Sequence, residues 1–452
     1  MDFSQGSIPK NIMHVALPIT VSELVHVLYN MVDRMFIGHI EGIGTAALTG
    51  VGVSLPLITV VTAFAFLCGV GGMPLFSIAR GEGKEEHANC IMENSFTILL
   101  LFSLVLMALL LSFQRPLLLL IGANEDSLPY ALEYLTVYLL GSSFVMISLG
   151  MNPYINAMGD SRIGMCTILI GAVINLILDP VFIFLLRLGV RGAAVATVIS
   201  QFCSTVWVLA YLTRRAPMRL RRLYFRLDIT RQILSLGLSG FTFKLTNSVV
   251  QALFNLTLNV YGGAESTLYV GAMSIINPLR EVMIQPVSGI TSATQSVMGF
   301  NYGAKKYGRV CESIRFMLFS SLSYNIAVWL IMILFSPQIA SAFTDDPLLI
   351  AATAHAMRIF FALFFMTSLQ MTGQNTFVGL NRPKQAVFFS VFRKLIVFVP
   401  LLLILPRTAL GVDGVFYSEA ASQLIGSGIC FLSMSLTVWR KMAALSRTEE
   451  SV

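Results

Sequence analysis

Apolar residues fill twelve long stretches of the chain, near residues 12–37, 45–77, 90–113, 130–157, 163–186, 190–212, 232–260, 267–299, 312–336, 350–377, 385–405 and 411–438. Polar residues gather in the short segments between them. Each stretch has the ~20 residues that a helix needs to cross a bilayer. Lipid offers backbone groups no water, so a span must be a helix or part of a closed barrel. Runs this continuous lack the alternation of a barrel strand. The pattern therefore predicts an all-α membrane protein with twelve transmembrane helices.

The second half repeats the first. Met158-Gly159-Asp160-Ser161-Arg162 aligns with Val378-Gly379-Leu380-Asn381-Arg382, and Leu188-Gly189-Val190-Arg191-Gly192 with Leu410-Gly411-Val412-Asp413-Gly414. A duplicated hydrophobic bundle is a common architecture of secondary transporters. Six spans per half is an even number, so both halves enter the membrane from the same side and form a parallel repeat. The expected organisation is an N-terminal six-helix lobe (1–213), an Arg-rich cytoplasmic linker (214–231), a C-terminal six-helix lobe (232–440) and a cytoplasmic tail (441–452).

Composition narrows the class further. Apolar residues make up 56% of the chain, charged residues 12%, and mean hydropathy is +0.78, which excludes an ordinary soluble enzyme. The net charge of +7 does not indicate a nucleic-acid partner, because the basic residues mark particular loops. Arg214, Arg215, Arg219, Arg221, Arg222, Arg226 and Arg231 follow the sixth span. Arg80, Lys84, Arg162, Lys305, Lys306, Arg309, Arg382, Lys384, Arg440, Lys441 and Arg447 fall on the same side if the count of spans holds. The positive-inside bias then puts both termini in the cytoplasm of a multi-pass protein of the plasma (inner) membrane. No cleavable signal is expected at the N-terminus. The six cysteines are scattered, with no CxxC pair, and read as small apolar helix residues.

Charged residues inside spans are costly, at least ~2.5–3.5 kcal/mol each on insertion scales, so each one asks for a reason. Asp33 closes the first span, and Asp179 lies in Asn175-Leu176-Ile177-Leu178-Asp179-Pro180 of the fifth. Asn175 and Asp179 are spaced i, i+4 and share a helix face. Pro180 has no N–H to give the carbonyl of residue 176. A carboxylate, an amide oxygen and a freed carbonyl are hard oxygen ligands suited to a small cation. A carboxyl out of water also holds a proton more readily, so sodium and proton are both open as coupling ions. The repeat sharpens this. Pro180 aligns with Pro400, which puts Val399 and Leu395 where Asp179 and Asn175 stand, and Asp33 aligns with a neutral stretch around Leu258-Asn259. The ion site is therefore expected in the N-terminal lobe alone. Tyr29, Lys244 and Glu281 are expected substrate contacts. Glu23, Arg280 and Glu419 are further charges within spans.

These residues lead to a family. Ala16-Leu17-Pro18 opening the first span, Val32-Asp33-Arg34-Met35-Phe36-Ile37-Gly38 closing it, Gly159-Asp160-Ser161-Arg162, Asn175 to Pro180, and Leu188 to Thr197 resemble the multidrug and toxic compound extrusion (MATE) family along nearly the whole chain. The resemblance implies a V-shaped pair of bundles that export cationic or amphipathic drugs in exchange for sodium ions or protons. It implies a cation site of Asp33, Asn175 and Asp179 joined by Thr197 in the sixth span. The chain is expected to work as a monomer without a cofactor, with membrane lipids around it. Some members use acidic residues in the seventh and tenth spans. Here Lys244 to Val260 and Ala356 to Phe377 contain no Asp or Glu, so no such second site is expected.

The alternative is a flippase for lipid-linked precursors, which would present cations to pyrophosphate. Only Lys244 and Arg280 are expected to serve that purpose, so it is the less favoured reading. An intramembrane enzyme is not expected: there is no HExxH, and Gly81-Glu82-Gly83-Lys84 lacks the upstream glycine of a P-loop.

Overall fold

A computed structural model describes residues 2–450, and all their regular structure is helical. We label the long helices α1 (Ile8–Gly38), α2 (Gly44–Gly81), α3 (Glu85–Ile121), α4 (Leu128–Leu140 continuing as Ser142–Ala157), α5 (Ser161–Leu185), α6 (Gly189–Arg215), α7 (Leu227–Tyr261), α8 (Ser266–Gly303), α9 (Tyr307–Leu334), α10 (Pro347–Phe360 continuing as Phe364–Gly379), α11 (Pro383–Arg407) and α12 (Asp413–Thr448). Among the described residues, nine helices are long and apolar enough to span a membrane, or eleven with each bent pair taken as one span. The twelfth is α8, whose 38 residues are long enough but less apolar. It packs Thr291, Thr294, Gln295, Ser296 and Asn301 inward, which lowers its hydropathy without exposing polar groups to lipid.

The chain divides into two compact units. One holds Leu17–Phe241; the other holds Phe3–Ala16 and the chain from Thr242 onward. The division thus falls inside α7, and the opening segment groups with the second unit. There Arg309 donates to the carbonyls of Phe3, Gln5 and Gly6, and the fully buried Phe3 meets the Phe300 ring edge-on at 5.8 Å.

In the first unit, the Arg-rich segment after α6 docks on α3. Buried Glu93 accepts from the backbone N–H groups of Arg221 and Arg222 and pairs with the Arg222 guanidinium at 3.5 Å. Asn94 bonds the Arg226 carbonyl and the Thr230 hydroxyl. A buried carboxylate and amide satisfy backbone groups that a loop would otherwise leave to water. Helix α4 bends by 57° at Gly141, where a Cβ would strike Val198. In the second unit Phe254 stacks on Phe398 and meets Phe416 at 6.0 Å, an aromatic core of α7, α11 and α12.

The fifth helix of each half departs from α geometry near its proline. A π-helical turn, Val181–Leu185, follows Pro180, and another, Phe392–Phe398, precedes Pro400. Single π turns widen a helix and recur at functional sites.

Candidate functional site

Three of the expected ion ligands meet inside the first unit. Asp33 on α1 is 9% exposed; Asn175 and Asp179 on α5 are 2% and 1% exposed. Their helical spacing lets the Asn175 amide donate to Asp179 Oδ1 at 3.1 Å. The carboxyls of Asp33 and Asp179 lie close enough to interact electrostatically. Asp33 Oδ1 and Asp179 Oδ2 are buried and have no hydrogen-bond partner among the described residues.

That arrangement restricts the chemistry. A hydrogen bond between two carboxyls requires a proton on one of them. With both ionised, a cation must take the proton's place, since bare like charges in a low dielectric repel strongly. The oxygens left over are hard acceptors, and a sodium ion is drawn to such a set as calcium and magnesium are. Among the described residues no group of three or more His, Cys, Asp or Glu side chains that could hold a metal ion comes together.

Tyrosines form the walls. Tyr29, one turn before Asp33 on α1, is in electrostatic range of both carboxyls, and so is Tyr134 on α4. Tyr134 stacks on Tyr138 with ring centroids 6.3 Å apart. Thr197 on α6 lies near Tyr134, which brings it to the edge of the site beside a tyrosine. Tyr134 and Tyr138 were not singled out in the sequence; their i, i+4 spacing in an apolar span was the available signal.

Lys244 and Glu281 belong to the second unit. Glu281 is exposed and accepts from Arg280 at 3.2 Å; these neighbours pair because the long guanidinium reaches around the helix. Lys244 on α7 is half-buried. Lys244 and Arg280 are not the only cations within the spans. Arg393 and Lys394 on α11 are 9% and 3% exposed, and both pair with Glu419 on α12, itself 3% exposed. Two adjacent basic residues inside the apolar run 385–405 were the overlooked signal.

Comparisons with known proteins agree with this architecture. A sequence model of the MatE family matches residues 18–181 and again 245–404, one match in each half of the repeat. The multidrug export protein MepA of Staphylococcus haemolyticus is 25% identical over 443 residues, covering 96% of this chain and 94% of that protein. MepA of Staphylococcus aureus strain N315 is 22% identical over 442 residues, 97% and 95% of the two chains. Among solved structures, a MOP superfamily transporter from Pyrococcus furiosus superposes with a TM-score of 0.90 at 24% identity, covering 98% of each chain. An outward-facing multidrug resistance MATE family transporter gives 0.89 at 23% identity, again over 98% of each. With both halves matched, the chain belongs to the multidrug and toxic compound extrusion (MATE) family of membrane transporters.

Proposed function

We propose that this protein is a cation-coupled antiporter that exports cationic or amphipathic compounds by alternating access, driven by sodium ions or protons entering through Asp33 and Asp179. The buried carboxyl pair supports this reading, because its unpartnered oxygens need a proton or a cation between them. Asn175 holds Asp179 in place, Thr197 acts at the edge, and Tyr29, Lys244 and Glu281 contact substrate. The MepA relatives are named as multidrug exporters, which supports the substrate class. The chain works as a monomer with both termini in the cytoplasm, and its work is transport rather than catalysis.

The test is ethidium efflux from proteoliposomes under an imposed proton or sodium gradient. Wild type should respond to one of the two gradients. Asp33→Asn and Asp179→Asn should fall to the rate of empty vesicles while remaining folded by gel filtration. A wild type indifferent to both gradients sinks the coupling, and one whose variants keep full rate sinks the site.

A further inference from the structure

The Arg-rich segment of the first unit joins two membrane spans, α6 and α7, so both of its ends lie at the membrane surface. It begins by folding back on its own helix: the Leu220 N–H donates to the Leu212 carbonyl at 2.9 Å. Side chains of an extended segment alternate between two faces. Ala216, Met218 and Leu220 are buried here, while Arg219 and Arg221 between and beside them are exposed. The next stretch is fixed through its backbone by α3. Glu93 and Thr97 accept the N–H groups of Arg221, Arg222 and Tyr224, and Asn94 donates to the Arg226 carbonyl at 3.1 Å. These bonds engage main-chain atoms, so the segment is held in place with its side chains still on offer.

Those side chains form an unbalanced surface. Of the seven arginines between residues 214 and 231, Arg222 pairs with Glu93 and Arg226 with Asp228. The other five make no ion pair among the described residues. Interleaved with them, Leu223, Phe225 and Leu227 are 61%, 57% and 55% exposed. A single exposed apolar side chain is ordinary. Three within five residues, beside unpaired arginines and next to two spans, have the chemistry of a headgroup layer. Apolar side chains enter the acyl boundary, and a guanidinium fork matches the oxygens of a phosphate. The net positive charge selects anionic lipid over zwitterionic.

We propose that this segment is a binding site for an anionic phospholipid, with Arg219 and Arg221 on the headgroup phosphate and Leu223 and Phe225 set into the acyl boundary. The site needs only that the chain spans a membrane, and stands apart from the ion coupling.

The test is equilibrium binding of fluorescent phosphatidylglycerol and phosphatidylcholine to the full-length protein in neutral maltoside micelles. Wild type should hold phosphatidylglycerol about thirtyfold more tightly, the effect of two arginines at an anionic surface. Arg219→Gln with Arg221→Gln should bring that ratio close to one. Arg219→Lys with Arg221→Lys keeps both charges and should keep the ratio. Arg440→Gln with Lys441→Gln, an exposed basic pair elsewhere, should leave it unmoved. Leu223→Ser with Phe225→Ser should weaken both lipids together. Equal binding of the two lipids by wild type overturns the proposal. A ratio that falls as far in the Arg440 and Lys441 variant makes the effect one of bulk charge and overturns it as well. Displacement of the lipid by inorganic phosphate at constant ionic strength would assign the arginines to a free anion, with the same result. Efflux is read separately, so its loss or survival bears on the coupling mechanism alone.

Discussion

A single hydroxyl tests how the proposed coupling site is built. Thr197 lies near Tyr134, which is in electrostatic range of Asp33 and Asp179, so its effect on ion binding should be indirect. Losing one buried hydrogen bond typically costs ~1 kcal/mol, about fivefold in affinity. Thr197→Ala and Tyr134→Phe should each raise the half-saturating ion concentration by about that factor. A double variant no worse than either alone would place the two hydroxyls in one shared hydrogen bond. Additive losses in such a cycle would instead make Thr197 a direct ion ligand. Asp179 differs in kind: its Oδ1 is held by Asn175, and its other oxygen is buried with no hydrogen-bond partner among the described residues.

Helices in this protein meet where side chains are absent. Gly71 on α2 and Gly237 on α7 lie against each other's helix, and a Cβ on either would overlap a backbone carbonyl, that of Ile233 or of Leu67. Lipid gives helices no hydrophobic drive to associate, so close backbone approach through small residues carries much of the packing. Gly237→Ala should therefore cost about 1–3 kcal/mol through overpacking, read as a lower Tm in detergent. Gly52→Ala, whose Cβ would meet nothing within 4 Å, serves as the control. If both substitutions shift Tm equally, helix propensity rather than crowding is at work. The π turns beside Pro180 and Pro400 belong to the same scale. A proline removes one hydrogen bond and crowds the preceding turn, and in each half the fifth helix widens next to it. In the first half the widened turn follows Asp179; in the second it carries Arg393 and Lys394.

At the scale of the whole molecule, orientation in the membrane follows from loop charge. Both termini should face the cytoplasm, the side on which the arginines after α6 gather. In a variant without native cysteines, Thr448→Cys should react with an impermeant maleimide only after inside-out vesicles are prepared, and Gly122→Cys, between α3 and α4, only from the outside. Labelling of both from one face would contradict the odd number of spans, the nine from α4 to α12, expected between the two positions. Near the N-terminus, carbonyls of Phe3, Gln5 and Gly6 are held by Arg309, so the opening segment is structured before α1 begins.

The chain by itself determined the class, the duplication, the twelve spans and the first-unit carboxylates. Each of these is a local property: apolar length, repeated glycines, or a charge where lipid penalises charge. Asp33, Asn175 and Asp179 were legible because an isolated acid in an apolar run has few bland explanations. The walls of their site were not. Tyr134 and Tyr138 are ordinary membrane residues in one dimension, and only the folded packing of α4 brings Tyr134 into range of the carboxyls with Tyr138 stacked behind it. Arg393, Lys394 and Glu419 were each visible, but whether they formed a balanced pair or an uneven cluster depended on which helix faces meet. That is decided by the π turns and by Gly426, where a Cβ would overlap the Arg393 side chain. Partition into lipid acts on each residue alone and is written along the chain, whereas pairing acts between residues far apart in it, and only the folded packing sets their distances.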